Sequence, residues 1–277
     1  MCFKYTIYIC ICFMFPVIVC IIKNEHDYIE EFVKYHLALG FSKIYIYDNQ
    51  DISSSYDKIL HKYSDKITIN HVPGNNYKKA VQYYILDHFV DNYLFKINKN
   101  NENITHVAHI DIDEFIALKK HKNICDFINE YIINNCQGIA INWRFFGSSG
   151  KKEKTNELVT QRFTMCEQKG NIHIKTLFKK DYFVKYNTVH DITLSQGNIL
   201  STNGQIINSP FNENIDFNII QLNHYKCKTL SEFYETRKRG RADLKEQIIE
   251  NIEESFKLYD MNEIEDLTAK NFMLNYL

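Results

Sequence analysis

Apolar residues fall into two alternating patterns along the first half of the chain. Residues 17–22 form a β-branched run, the signature of a strand buried on both faces. Ile29, Phe32, Val33, His36 and Leu37 then recur at helical spacing over residues 26–39, and Gly40 follows at the position where helices usually stop. Residues 43–47 alternate as a short strand ending on Asp48-Asn49, 53–63 fit a helix, and 66–72 make a strand closed by Pro73-Gly74. A long helix is predicted over 78–95, an apolar strand over 106–110 running into Asp111, a helix over 124–133 and a strand over 138–143.

Strands alternating with helices imply an α/β fold with a mainly parallel, doubly wound sheet. Ligands of such sheets bind beyond the carboxyl ends of the strands, which sets Lys23-Asn24-Glu25, Asp48-Asn49 and Asp111 to Asp113 along one edge. From residue 146 to 218 the pattern loosens and glycines recur, so long loops are expected, with a small antiparallel piece and a strand candidate at 173–178. Beyond a strand candidate at 218–223, the periodicity predicts helices over 230–239, 244–258 and 263–274. No repeat or low-complexity linker interrupts the chain, and one domain spanning 1–277 is the simplest reading.

Composition narrows the function classes. The 277 residues are 45% hydrophobic and 24% charged, enough for a large core, and the formal charge of -1 gives no field that would draw the chain to nucleic acid. The eight cysteines show no Cys-x-x-Cys pair and are read as reduced core residues. Residues 5–22 are uncharged after Lys4, as in a signal anchor. If 17–22 belong to the sheet, however, the remainder is broken by Pro16 and falls short of the ~20 residues needed to span a bilayer. A soluble, cytoplasmic chain is expected on that ground, with membrane association through an N-terminal anchor as the alternative.

The sharpest local signal is HVAHIDIDEF, where an apolar strand exits into Asp111, Asp113 and Glu114. Carboxylates so placed can hold Mn²⁺ or Mg²⁺ through oxygen while leaving coordination sites open to phosphate. A solvated acidic turn would present the same letters.

Four ordered blocks cover most of the chain: IIKNEHDYIEEFVKYHLALGFSKIYIYDNQD, HIDIDEF, INWRFFGSSG and HYKCKTLSEFYETRKRG. Together they resemble glycosyltransferase family 92 and related family-2-like transferases. The resemblance implies a GT-A fold, a Rossmann-like mixed sheet flanked by helices. Residues 17–143 would be the nucleotide-sugar-binding half, and 144–277 the acceptor side with C-terminal helices. It further implies a nucleotide-sugar donor, with UDP as the nucleotide, and a glycan or other hydroxyl acceptor. By position, Lys23, Asn24, Glu25 and Asp48 would line the nucleotide pocket with Gln82 facing it. Asp111 would lie near ribose and metal, and Asp113 would ligate the metal directly. His224 would complete the metal's ligands, with His190 as the alternative, and Trp143 would face the acceptor sugar.

An inverting transfer also needs a proton acceptor, for which Asp191 beside His190 is the sequence candidate. The basic run Arg237-Lys238-Arg239-Gly240-Arg241 is read as a helix end or as compensation for diphosphate charge. The competing readings are a phosphotransferase or phosphatase of the haloacid dehalogenase type, and a non-catalytic sugar-binding module. The first normally carries its Asp-x-Asp on the first strand, unlike this chain.

Overall fold

The computed structural model describes residues 14–52, 56–96, 103–244 and 251–276. The anchor or targeting alternative for residues 1–13 lies outside the described residues. Among those described, no helix is long and apolar enough to cross a membrane.

In chain order the first half contains β1 (Pro16–Ile22), α1 (Ile29–Ala38), β2 (Lys43–Asp48), α2 (Tyr56–Leu60), β3 (Ile67–His71), α3 (Val81–Phe89), β4 (His106–His109), β5 (Glu114–Leu118), α4 (Ile124–Tyr131) and β6 (Cys136–Phe145). The second half adds α5 (Val159–Arg162), β7 (Met165–Cys166), β8 (Ile174–Lys179), β9 (Phe183–Tyr186), β10 (Ile192–Leu194), β11 (Asn198–Leu200), β12 (Ile220–His224), α6 (Leu230–Lys238), α7 (Ile252–Tyr259), β13 (Ile264–Glu265) and α8 (Thr268–Leu274).

The central sheet runs β3-β2-β1-β4-β8-β6-β12-β5, with β11 beside β6. Strands β1 to β4 are mutually parallel. Strand β8 lies antiparallel between β4 and β6, and β12 is parallel to β6 and antiparallel to β5. The carboxyl ends of β1, β2, β4, β6 and β12 therefore share one edge, and the amino end of β8 joins them there.

The sheet is buried on both faces. Along β1, Ile18, Cys20 and Ile22 pack with α1, α4 and α8, while Val17, Val19 and Ile21 pack with α3 and the β9–β10 hairpin. This explains why β1 reads as a continuous apolar run rather than an alternation. Helix α1 ends where predicted: Gly40 has φ 104, and a Cβ there would meet the Asn123 side chain at 2.5 Å. Asn123 caps α4, so that one glycine lets two helix ends meet.

Several boundaries differ from the sequence reading. The helix expected over 78–95 begins only at Val81, because Ala80 is extended (ψ 145), and it ends in a π-helical turn, Val90–Leu94. The strand candidate at 173–178 is β8, which enters the central sheet, and the small antiparallel piece is the β9–β10 pair. Strand β5 follows the acidic turn directly and was not foreseen. Part of the helix expected over 263–274 is given to β13, which pairs with β7.

Candidate active site

At the shared edge lies a cavity of about 410 Å³. Lys23 and Asn49 enter it from the ends of β1 and β2, and Asp111 to Asp113 from the turn after β4. Trp143 and Phe145 come from β6, His173 from the residue before β8, and His224 and Lys226 from the end of β12. The end of α6 and the strap after it close the rim with Arg237, Arg239 and Arg241, joined by Tyr259 of α7.

The acidic turn is tied at both ends. Glu114 Oε2 accepts the Asp111 amide at 2.7 Å, and Asp113 O accepts the Tyr225 amide at 2.8 Å. Asp111 is engaged on both oxygens, with Gln82 Nε2 donating to Oδ1 at 2.8 Å and Lys175 Nζ to Oδ2 at 3.1 Å. Burial pushes the Asp111 carboxyl up, but Lys175, His109 and His224 together outweigh it and hold the group below the usual range. Burial alone would favour neutral Lys175; Asp111 and Glu114 reverse this and raise its pKa. Glu114, fully buried, is pushed well above the ordinary carboxylate range by desolvation.

Asp113 has a different neighbour. Its Oδ2 lies 3.5 Å from His224 Nε2, and its side chain keeps 15% exposure. Burial raises its pKa, yet His224, Lys228 and Arg239 together hold it below the ordinary range. Desolvation lowers His224, favouring the neutral imidazole that can ligate a metal. A carboxylate oxygen and an imidazole nitrogen facing one cavity are a donor set suited to Mn²⁺. Among the described residues no group of three or more His, Cys, Asp or Glu gathers closely enough to hold a metal, so any further ligands would come from a bound phosphate or from water.

Sheet register builds the aromatic wall. The Trp143 amide donates to His173 O at 2.9 Å, which makes the two residues cross-strand neighbours, and their rings stack at 5.0 Å and 18°. His224 and His190 meet the indole edge-on at 4.5 Å and 5.1 Å. Asn171 Oδ1 accepts from the His173 amide at 3.0 Å and lies 2.7 Å from its Nδ1. An oxygen there requires Nδ1 to carry the proton, leaving the lone pair on Nε2.

Cations line the same cavity. Arg239 pairs with Glu25 and donates to Lys23 O at 2.5 Å, which joins the strap to the end of β1. Arg237 lies over the Phe233 ring at 4.6 Å, and Lys226 Nζ sits 3.7 Å from the Tyr259 ring centre. Arg241 is forked on Asp243 at 3.0 Å and 2.6 Å. Lysines and arginines around an Asp–His pair suit an anionic, phosphate-bearing ligand.

A family model for glycosyltransferase family 92 matches residues 15–258, which include every residue lining the cavity except Tyr259. The chain belongs to glycosyltransferase family 92. Membership places it among the glycosyltransferases. A comparison with curated proteins finds no match.

Similar solved structures include TarS of S. aureus, 12% identical over 61% of this chain and 29% of its own, with a TM-score of 0.35. HddC of Yersinia pseudotuberculosis is 8% identical over 65% of this chain and 83% of its own, at 0.33. The glycosyltransferase GlyE of Streptococcus pneumoniae TIGR4 is 13% identical over 47% of this chain and 30% of its own, at 0.30. The chain spans less than a third of the length of TarS and of GlyE. Likenesses this distant set no constraint on its chemistry.

Within this glycosyltransferase the structure brings together Lys23, Gln82, Asp111, Asp113, Trp143, His190 and His224 around one cavity. Glu25 stands behind the wall and reaches it through Arg239, and Asn24 adopts φ 57 at the bend between β1 and α1. Asp48 is buried with its carboxylate accepting the Gln50 amide at 3.1 Å, and it is Asn49 that lines the cavity. Asp191 lies apart. Asn187 and Thr188 occupy its two carboxylate oxygens within its own turn, and it borders a separate depression. It is the neighbouring His190, not Asp191, that lines the cavity. Trp143, only 9% exposed and packed by three imidazoles, is a wall rather than an open stacking platform.

Sequence reasoning missed His173, Lys175, Lys226 and Tyr259. His173 and Lys175 sit in a run that reads as ordinary strand, and only the pairing of β8 with distant strands brings them to the edge, while Lys226 follows β12 and Tyr259 ends α7.

Proposed function

We propose that this glycosyltransferase uses a divalent cation, Mn²⁺ or Mg²⁺, to take a sugar from a UDP-sugar and transfer it with inversion to an acceptor hydroxyl. The observation that carries this reading is that the Asp113–His224 pair lines one cavity together with Lys226, Arg237 and Arg239. Asp113 and His224 would hold the cation, whose charge would stabilise the departing nucleoside diphosphate. The cationic wall binds the same phosphates, and its electrostatic support grows as the leaving group gains charge.

In one displacement the acceptor oxygen bonds to the anomeric carbon, the bond from that carbon to the diphosphate breaks, and the hydroxyl proton passes to a base. His173 fills that role in this reading: its Nδ1 is committed to Asn171, which leaves Nε2 to accept the proton. Burial, with Lys226 and His224 nearby, lowers its pKa and keeps it neutral at physiological pH.

The deciding experiment incubates the protein with UDP-, GDP- and CMP-sugars, with Mn²⁺ or with chelator, and follows nucleotide release for wild type and Asp113→Ala. The expected result is Mn²⁺-dependent release of UDP that is lost in the variant. Full turnover in chelator, or from a different nucleotide, would overturn the cation or the donor assignment respectively.

A further inference from the structure

A second depression, of about 290 Å³, adjoins the catalytic cavity. Ile174 and Thr176 of β8 line it, whereas His173, just before them, lines the cavity; Asp191 lines it, whereas His190 lines the cavity. At two places, therefore, the chain passes from one hollow to the other in a single step. Strand register supplies the depression with two polar pairs. In the β9–β10 hairpin Ile192 pairs with Tyr186, which sets Asp191 opposite Asn187, and Asn187 Nδ2 donates to Asp191 Oδ2 at 3.0 Å. After β11, Leu200 bridges Ile206 and the Ile207 amide donates to Ile199 O at 2.9 Å, a register that sets Asn198 opposite Asn208.

The lining has the chemistry of a hydroxyl-rich, uncharged ligand. Among the described residues neither Lys nor Arg lines it, so an anionic ligand would meet the Asp191 carboxylate with no cation to balance the repulsion. The side-chain amides of Asn198 and Asn208 have no protein partner among the described residues. Each amide offers both a donor and an acceptor, which neighbouring sugar hydroxyls match. Asp191 has its oxygens engaged by Asn187 and Thr188 and keeps a lone pair on each for a further hydroxyl. The segment beyond Asn208 leads back to the cavity. Ser209 Oγ donates to Phe211 O at 3.0 Å, and the Phe211 ring, 44% exposed, meets His173 edge-on at 4.9 Å. An exposed ring there gives the apolar face of a sugar a surface to lie on.

We propose that the depression is an acceptor subsite: it holds a neutral sugar unit of a glycan whose reacting hydroxyl lies at His173 in the cavity, with Phe211 beneath the chain between them. The proposal rests on the transfer reading above and makes the acceptor an uncharged oligosaccharide rather than a single sugar or an anionic polymer. Selectivity follows from desolvation. Asn198 and Asn208 give up water in the complex, so a glycan without matching hydroxyls leaves their amides unpaired and binds less tightly.

The test is a glycan array of neutral, sialylated and sulfated saccharides of increasing length, probed with the full chain in Mn²⁺ and UDP, then titration of the neutral oligosaccharide that binds most tightly. Neutral oligosaccharides should bind and their anionic analogues should not. Asn198→Ala/Asn208→Ala should weaken the titrated affinity by about tenfold, as expected for two lost hydrogen bonds. The same oligosaccharide used as acceptor should show KM raised by that factor with kcat unchanged, and Mn²⁺-dependent UDP release in water without acceptor should stay within about twofold of wild type. Asn208→Arg, at an exposed position free of partners, fills the depression without disturbing the core and gives a second variant with the same expected loss. Failure of wild type to bind any neutral oligosaccharide, a preference for anionic glycans, or affinity and KM within about twofold of wild type in both variants would each overturn the proposal. Glycan binding that depends on these asparagines in a protein releasing no UDP would instead overturn the catalytic reading and leave the glycan site standing.

Discussion

Two aspartates one residue apart have opposite surroundings: Asp111 is neutralised by a lysine, while Asp113 faces an imidazole across 3.5 Å. The motif was legible in the sequence because an apolar strand leads into it. The asymmetry was not, because Lys175 sits among Ile174, Thr176 and Leu177 and reads as one polar residue on a strand. His173 was hidden for the same reason. Its proposed role as base leads to a prediction at this scale: His173→Gln should lower kcat by about 10²–10⁴-fold, the usual range for a lost general base, and leave UDP binding nearly unchanged. Steady-state kinetics beside UDP titration will check it. A comparable loss of UDP affinity would assign His173 to donor binding instead.

Among the elements, α6 carries the largest functional consequence. Its start is fixed by a capping box between Thr229 and Glu232, and Glu232 also receives two bonds from Arg162, at 3.0 Å and 2.8 Å, and one from Tyr28 at 2.6 Å. The helix's far end presents Arg237 and Arg239 to the cavity. Thr229→Ala should therefore cost about 0.5–2 kcal/mol of stability, as lost caps do, measurable by denaturant unfolding. It should also weaken UDP binding without lowering kcat at saturation. The basic end was visible in the sequence as Arg-Lys-Arg. That this end turns back to Glu25 was not, since the contact joins residues more than two hundred positions apart. Strand β8 is the parallel case: its apolar letters predicted a strand, but its insertion between β4 and β6 is a long-range pairing that local pattern does not encode.

For the whole molecule, buried titratable groups set the response to pH. His36, buried in the core, has its pKa lowered to about 3 by desolvation. Between that value and the unfolded one near 6.5 the unfolded chain binds the extra proton, so stability falls as pH drops through this window. Glu232 is pushed up by burial but brought down to about 2 by Arg162, Tyr28 and Thr229, and it adds a second loss between its unfolded value of 4.5 and about 2. Glu167 works in the other direction. Burial raises it to about 7, so its contribution is lost as pH rises from about 4.5 to about 7. Thermal melts should show stability falling steeply in acid, and Glu167→Gln should steepen the gain between pH 5 and 7 by removing the opposing group. An unchanged slope in that variant would mean that Glu167 titrates normally. The α/β architecture behind these contacts was readable from alternating strands and helices. The titration behaviour was not, because it depends on which polar groups the packing encloses.

The place of β8 between β4 and β6 also bears on the order of synthesis. A chain leaving the ribosome completes β4 at residue 109, but the strand that pairs with its open side begins only at residue 174, some 65 residues later (174 − 109). At typical elongation rates of about 5–20 residues per second, the nascent sheet exposes that edge for about 3–13 seconds. An uncovered strand edge is a template for unwanted pairing between neighbouring nascent chains. Codons that slow translation between β6 and β8 should therefore lower the yield of soluble protein, and conditions that speed it should raise that yield.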